Sequence, residues 1–282
     1  MNRRLSNMAL LIICRLAAAI TILTLVFLLS VIVFNGARAI DPEFILTPSR
    51  DFGAGGGVFY QIIGSILMVF CAALISFPLA LGTAIFKSEY LKNSYLLKLS
   101  AILIYGLNGV PSIIFGVFGL LFFVHYLNTG ISWFIGSIIL AIMILPTIVL
   151  AAYQSINSIP KIYRESALAL GLSKWRVILQ VIIPQGTGGA ITGLLIGLAR
   201  AIGETAPIMF IAAAFSGAGI PGSLFEPVVA LPTHILILTQ QATNPLALQN
   251  AWGSSLILLA IVFIFSISAL FSRISLRSVS QR

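Results

Sequence analysis

The chain has 282 residues, of which 59% are hydrophobic and 8% charged, with a mean hydropathy of +1.10. Soluble domains carry roughly 25% charged residues, so this composition excludes a soluble globular protein and indicates an integral membrane protein. The net charge of +9 does not point to nucleic acid, because the basic residues form short clusters between apolar runs, as membrane topology requires.

The first apolar run predicts a membrane-spanning helix that is kept in the protein. A cleaved signal peptide is the alternative, because Arg3 and Arg4 precede the run and Ala37-Arg-Ala39 follows it. We favour a retained helix over residues 10–34, since this run is longer than the ~7–15-residue apolar core of a signal and Arg15 lies near its start. Residues 1–54 are therefore assigned to a first helix and an external, glycine-rich, flexible linker.

Five further apolar runs predict a helical core over residues 55–275, because a span needs about 20 apolar residues. With the first run, they give an all-α integral membrane protein with six transmembrane helices. These five spans are assigned to residues 62–86, 99–125, 132–152, 187–214 and 252–272.

The basic residues divide unequally between the two sides of such a topology. Of sixteen lysines and arginines, thirteen fall on one side, only Arg38 and Arg50 fall on the other, and Arg200 lies within a span. The positive-inside rule therefore predicts that both termini are cytoplasmic. The thirteen are Arg3, Arg4, Arg15, Lys87, Lys92, Lys98, Lys161, Arg164, Lys174, Arg176, Arg273, Arg277 and Arg282.

The third predicted span is interrupted by Asn108-Gly-Val-Pro-Ser112. Pro111 removes a backbone donor and disfavours helical geometry at Val110, which predicts a kink. Kinks of this kind often serve only helix packing. Because Asn108 and Ser112 add polar side chains to the kink, a place in a transport pathway is the alternative that stays open.

The long connection at residues 153–185 predicts a bent pair of short helices over residues 160–184. Pro160 suits a first helical turn, Gly171 suits a helix end, and Ser173 can cap a second helix. An amphipathic helix lying on the bilayer surface is the alternative.

Within this loop, the order of Glu165-Ser-Ala, Gly171 and Ile183-Pro184 resembles the coupling loop of ABC importer permeases. That loop reads E-A-A, three residues, G, nine residues and I-x-L-P, so Ser166, Val181 and Ile183 are mild departures. The resemblance implies that the loop docks on a separate ATPase subunit. The implied contact residues are Glu165, Ser166, Ala167 and Gly171.

The fifth span carries two opposite charges, Arg200 and Glu204, in an apolar run. On one continuous helix they share a face with Gly189, Gly193 and Gly197, which would let a second helix approach closely. An unpaired arginine near mid-bilayer costs at least ~2.5–3.5 kcal/mol, so the charges predict a functional site. Arginine binds oxyanions through its planar fork, and the glutamate can orient it or accept a proton.

Two segments are similar to permeases of phosphate ABC importers: Leu198 to Pro207, and Asn108 to Ser112 with Phe115-Gly116. Within the first segment, Glu204-Thr-Ala-Pro207 matches the A-type subunit of these importers better than the C-type subunit. The resemblance implies the type I ABC importer permease fold in a bacterial inner membrane. It also implies a heterodimer with a second related permease, two ATP-binding subunits, an external phosphate-binding protein and inorganic phosphate as cargo. The implied pathway residues are Arg200, Glu204, Asn108 and Ser112.

No Gly-x-x-x-x-Gly-Lys-Ser/Thr stretch occurs, so we expect ATP and Mg²⁺ on the ATPase subunits, and neither cofactor nor catalysis in this chain. Cys14 and Cys71 lie in separate spans, so no disulfide is predicted. No second metal-ligating residue lies at helical spacing from His125 or His234, so no metal site is predicted.

Three alternatives to the phosphate importer remain. The same architecture could carry sulfate, molybdate or another oxyanion. An ion-coupled secondary transporter would show inverted repeats, which are not evident, and would leave residues 160–184 unexplained. A purely structural membrane protein is disfavoured by the charges within the fifth span.

Overall fold

A computed structural model describes the backbone of residues 2–214, 219–241 and 243–280 and, within these ranges, the side chains of residues 7, 8 and 10–271. The side chains of Arg3, Arg4, Arg273 and Arg277, together with Gly217 and Arg282, lie outside the described residues. The charge count therefore rests on sequence alone at these arginines.

The described chain is built of α-helices with one very short β-ribbon. The helices are α1 Asn2–Gly36, α2 Pro42–Leu46, α3 Phe59–Ile85, α4 Ser94–Gly109, α5 Ser112–Gly119, α6 Trp133–Asn157, α7 Lys161–Ala169, α8 Lys174–Val177, α9 Ile183–Ala201, α10 Ala206–Ile211, α11 Leu231–Gln240 and α12 Pro245–Ser280. π-Helical turns extend α3 over Phe86–Tyr90 and α5 over Leu120–Tyr126, and Ile178–Ile182 joins α8 to α9. In the ribbon, β1 Ser49–Arg50 pairs antiparallel with β2 Gly55–Gly56.

Among the described residues, five helices are long and apolar enough to cross a membrane, and the bent pair of α4 and α5 would make a sixth. The five spans are Leu10–Gly36, Phe59–Tyr90, Trp133–Asn157, Lys174–Ala201 and Pro245–Phe271. α4 and α5 meet at 91°, so the kink predicted at Pro111 is a full break in the helix. The predicted set of six apolar segments is confirmed.

The prediction of one continuous helix over residues 187–214 is wrong. α9 ends at Ala201, and α10 begins only at Ala206. A continuous helix would bring the ring of Pro207 against the carbonyl of Gly203 and would leave that carbonyl without a donor. Glu204 therefore lies in the break between α9 and α10, not on the helical face that carries Arg200.

Two other prolines leave their helices unbroken. α3 runs through Pro78, and α6 runs through Pro146. What distinguishes the broken helices is a glycine close before the proline: Gly109 precedes Pro111, and Gly203 precedes Pro207. Glycine loses the most conformational freedom in a helix, so a glycine and a proline together end a helix that a proline alone only perturbs.

α6 forms the centre of the helical core, between α3 and α9, with Leu140 and Ile144 completely buried. The glycine face of α9 packs directly on α6. Gly189 lies against Ser155 and the carbonyl of Ala151, Gly193 against Ala151, and Gly197 against Ile144. The three glycines therefore let the two helices approach closely in this structure, as small residues do in membrane proteins.

The linker after α1 is folded, whereas its glycines predicted a flexible connection. The carboxylate of Asp41 accepts from the backbone N–H of Phe44 at 2.6 Å and caps α2. Gly53 in the turn of the ribbon and Gly56 in β2 have positive φ angles of 94° and 71°, which a residue with a side chain rarely adopts. The glycines thus allow tight turns here.

The apolar piece at residues 228–238, interrupted by Pro232, is too short to cross a membrane, so its sequence predicts a place at the membrane interface with His234 as an interfacial polar group. The structure instead buries it: α11 packs between α3 and α12, and the hydroxyl of Ser65 accepts from the N–H of Leu231 at 2.8 Å. His234 is 5% exposed, its Nδ1 lies 3.4 Å from the amide nitrogen of Gln61, and burial lowers the pKa of its imidazole to about 4. A short apolar helix with a histidine looks alike in sequence whether lipid or protein covers it, so this prediction was wrong.

We expect Gly193→Val to separate α9 from α6. A Cβ at Gly193 would lie 2.5 Å from the Cβ of Ala151, and overpacking of this kind costs about 1–3 kcal/mol. The midpoint of thermal unfolding in detergent should therefore fall. Gly106→Val is the matched control, because no atom lies within 4 Å of a Cβ placed there. Equal unfolding midpoints for the two variants would contradict the close packing of α9 on α6.

Candidate functional site

Arg200 lies in the last turn of α9 and contacts one group in the break that follows α9 and one group on α4. Its Nε lies 3.5 Å from Oε1 of Glu204, and its Nη1 donates to Oδ1 of Asn108 at 3.5 Å. The same oxygen of Asn108 accepts from the hydroxyl of Thr147 at 3.3 Å. The structure therefore brings three of the four predicted pathway residues together and adds Thr147.

The two broken helices meet at this point. A Cβ at Gly116 on α5 would lie 2.9 Å from Cα of Pro207 on α10, so the backbones of these short helices nearly touch. Arg200 and Asn108 belong to the last turns of α9 and α4, the helices that precede the breaks. In a membrane, broken helices are tolerated only where protein or a water-filled cavity covers the free backbone groups. The meeting point of two breaks is therefore a candidate pathway.

The site lies near the middle of the spanning helices. Thr147 is about 21 Å from the Trp133 end of α6, a helix about 37 Å long. Gly197 of α9 packs on Ile144, at nearly the same level of α6. Arg200 is one turn further along α9, and its guanidinium group reaches back to Asn108. A charge at this depth of a membrane is costly, which makes Arg200 a candidate functional residue.

The guanidinium group keeps much of its binding capacity. The side chain of Arg200 is 39% exposed and that of Glu204 15%, and both of the contacts of Arg200 are long. An arginine has five N–H donors, so several remain for a ligand. Asn108 is also exposed, whereas Ser112, across the break, is half-buried at the start of α5. Within the described residues, Ser112 has no hydrogen bond to this group.

Thr147 was missed in the sequence because a single threonine within an apolar span gives no signal of its own. Pro146 directly precedes it in the sequence. Ser, Thr and Asn side chains often hydrogen-bond between membrane helices, so a polar residue beside a proline is the available cue.

The predicted loop over residues 160–184 is a bent pair of helices, α7 and α8. Gly171 joins them at a φ of 81°, and a Cβ there would meet no atom within 4 Å. Glu165 and Ser166 are exposed, whereas Ala167 is buried. A patch of large apolar side chains on the loop is exposed as well: Ile162, Tyr163, Leu168, Leu170 and Trp175. A surface of this kind is typical of a docking site for another protein.

Residues 76–282, more than half of the chain, match the protein family described as "Binding-protein-dependent transport system inner membrane component". The chain belongs to this family. The permease is 33% identical over 281 residues to the probable ABC transporter permease protein YqgI of Bacillus subtilis (strain 168), with 95% of both chains covered. It is 30% identical over 269 residues to the phosphate transport system permease protein PstA of Pasteurella multocida (strain Pm70), with 95% of this chain and 94% of the relative covered.

Solved ABC transporters share the fold of the permease. A chain of the methionine transporter MetNI, in an inward-facing conformation, superimposes with a TM-score of 0.61 at 17% identity, over 78% of this chain and 94% of that chain. A chain of the bacterial alginate ABC transporter gives 0.60 at 16% identity, over 89% and 92%. At such identities the likeness concerns the fold alone.

These similarities confirm the predicted all-α fold of a type I ABC importer permease and exclude the ion-coupled secondary transporter. The permease is a multi-pass inner membrane component of a transport system that depends on a binding protein. The cytoplasmic orientation of the termini stays a prediction.

We expect Gly171→Val to weaken the docking of the loop on the ATPase, and so to reduce the stimulation of ATP hydrolysis. A β-branched residue at a φ of 81° costs about 1–2 kcal/mol, which would open the bend between α7 and α8. Membrane abundance should stay near the wild-type level, while ATP hydrolysis by the assembled transporter should fall several-fold. Gly171→Asn is the matched control, since asparagine tolerates the left-handed region and should retain most of the hydrolysis. Full activity of the valine variant would indicate a surface helix without a docking role.

Proposed function

We propose that this permease imports inorganic phosphate, as one half of a heterodimer with a related permease that is driven by two ATP-binding subunits. The observation that carries the proposal is the guanidinium group of Arg200, exposed near mid-span and held by two contacts of 3.5 Å. An arginine fork matches the geometry of a tetrahedral oxyanion and can bind it through two parallel hydrogen bonds. The phosphate permeases among the relatives support this choice of anion.

Glu204 gives the site a means of releasing its cargo. A purely cationic site would hold a divalent anion tightly, whereas a carboxylate 3.5 Å from Nε of Arg200 competes for the same donors. It also orients the guanidinium group in the absence of an anion. We infer that phosphate displaces part of this contact when it binds and that the contact re-forms when phosphate leaves.

The exposure of one side of the site supports the proposal that a second permease packs there. Arg200 and Asn108 would face lipid if the chain stood alone, and a charged side chain there is expensive. A second permease across this face would enclose a polar path between the two subunits. ATP and Mg²⁺ then belong to the partner ATPase subunits, which the bent loop of α7 and α8 would contact through Glu165, Ser166, Ala167 and Gly171.

Uptake of labelled phosphate tests the role of Arg200. Arg200→Gln should abolish uptake with nearly unchanged membrane abundance, and Arg200→Lys should restore little, because a point charge lacks the planar fork. Glu204→Gln should weaken uptake and lower abundance, since it leaves Arg200 without its carboxylate. Arg50→Gln, which removes a cation in the β-ribbon, is the control and should transport normally.

Exchanging the two charges separates the pathway role from a structural ion pair. A pair that only stabilises the fold should work equally well as Arg200→Glu with Glu204→Arg, so restored uptake would refute the pathway role. Competition by unlabelled sulfate or molybdate identifies the cargo. If either anion suppresses uptake better than phosphate does, the architecture stands and the assignment of phosphate is wrong.

Labelling with a membrane-impermeant thiol reagent tests the proposed orientation. In a background with Cys14→Ser and Cys71→Ser, a cysteine replacing Ser223 should react in intact cells, and one replacing Ser173 should react only after the cells are opened. Both serines are exposed in the structure, so accessibility within the protein does not bias the comparison. The reverse pattern would invert the topology.

A further inference from the structure

Arg164 directly precedes Glu165-Ser-Ala of the bent loop, but its side chain points away from the exposed face of the loop, toward the ends of α3 and α6. Its Nε donates to Oε1 of Glu89 at 3.1 Å, its Nη1 to the carbonyl of Ile159 at 2.8 Å, and its Nη2 to the carbonyl of Ile156 at 2.9 Å. All three nitrogens of the guanidinium group are therefore used. The side chains of Arg164 and Glu89 are only 18% and 13% exposed, which sets this pair apart from an ordinary surface ion pair.

The acceptors of Arg164 lie at the ends of two spanning helices. Glu89 lies in the π-helical turn that ends α3, whereas Ile156 lies in the last turn of α6 and Ile159 lies two residues beyond the end of that helix. A cation at the last carbonyls of a helix is favourable, because it binds free acceptors and complements the helix dipole. One side chain of α7 therefore ties the loop to the ends of both α3 and α6. We call Arg164 and Glu89 the anchor pair.

Glu89 also holds the second helix of the loop. Its backbone carbonyl accepts from Nζ of Lys174 at 2.7 Å, and the ammonium group lies 3.8 Å from the ring centre of Tyr90. The hydroxyl of Ser88 donates to Oδ1 of Asn157 at 2.9 Å and joins the ends of α3 and α6 directly. The end of α3 is thus the place where α6, α7 and α8 meet.

The loop reaches the third core helix through the backbone. α8 continues through its π-helical turn into α9, so residues Lys174–Ala201 form one spanning segment that carries Arg200. A displacement of α7 and α8 is passed to α9 by covalent bonds. The chain also joins the loop to α6, through residues 158–160, whereas α3 has no direct chain connection to the loop and contacts it through side chains, among them the anchor pair.

We propose that Arg164 and Glu89 are positioning residues of the transport cycle, which make α3 move together with α6 and α9 when the ATPase displaces the loop. Without the anchor pair, the loop would move α6 and α9 against a stationary α3. The transporter would then hydrolyse ATP with little movement of cargo. The proposal uses the coupling function of the family and does not depend on which anion is carried.

The test uses the assembled transporter in liposomes, with its partner permease, its ATPase and its binding protein. Arg164→Gln and Glu89→Gln should leave assembly intact and ATP hydrolysis within twofold of the wild type, while phosphate uptake per ATP hydrolysed falls at least fivefold. The double variant should be no worse than either single one, because both remove the same contact. Lys98→Gln, which removes an exposed cation of α4, is the control and should keep the wild-type ratio.

A second measurement does not require transport. Spin labels at positions 79 and 196, whose side chains are exposed on α3 and α9, report the distance between these helices. On addition of ATP and vanadate, this distance should stay constant in the wild type and change in Arg164→Gln. Wild-type liposomes that take up no phosphate would refute the proposed cargo alone, since the label distance still decides the role of the anchor pair.

Three results would overturn the proposal. Uptake per ATP could match the wild type, uptake and hydrolysis could fall in parallel as in a misassembled complex, or the label distance could behave identically in the wild type and in Arg164→Gln.

Discussion

The close packing of α9 on α6 is the contact on which the rest of the structure depends. Gly189 and Gly193 bring the backbone of α9 against Ala151 and Ser155, closer than any larger residue would permit. This approach sets the level of Arg200 against α6, so that its guanidinium group reaches Asn108 beside Thr147. Because α9 is continuous with α8, the same contact also determines where the bent loop leaves the core. One glycine face thus positions both the candidate pathway and the candidate coupling surface.

Hydrogen-bond satisfaction in the membrane explains why the polar site lies at helix breaks. Each break frees backbone donors and acceptors, which lipid cannot satisfy, so a break survives only against protein or water. Here the breaks of α4–α5 and α9–α10 lie together, with Gly116 against Pro207. The polar groups needed for an anion and the free backbone groups therefore occupy one place. The cost of the irregular backbone and the cost of a charge near mid-span therefore arise at the same place.

The second polar centre, at the ends of α3 and α6, differs in chemistry from the first. Arg164 donates from each of its three nitrogens to an acceptor at 2.8–3.1 Å, whereas Arg200 has two contacts at 3.5 Å and remains partly exposed. Short contacts from every nitrogen hold structure, whereas an exposed guanidinium group with long contacts can bind a ligand. The two arginines therefore differ in place as well as in contacts, since Arg164 lies beside the bent loop and Arg200 lies in the candidate pathway.

The sequence by itself determined the membrane class, the six apolar segments, the bent loop and the pair of Arg200 with Glu204. Those features rest on composition, on local spacing and on the conformational limits of glycine and proline, all of which are properties of short stretches of chain. Only the tertiary structure decided that α9 ends before Glu204, that α11 with His234 is buried, and that Thr147 and Asn108 share a hydrogen bond. The pairing of Arg164 with Glu89 likewise joins residues 75 positions apart. Such contacts depend on which helices lie side by side, and an apolar helix reads the same whether lipid or protein surrounds it.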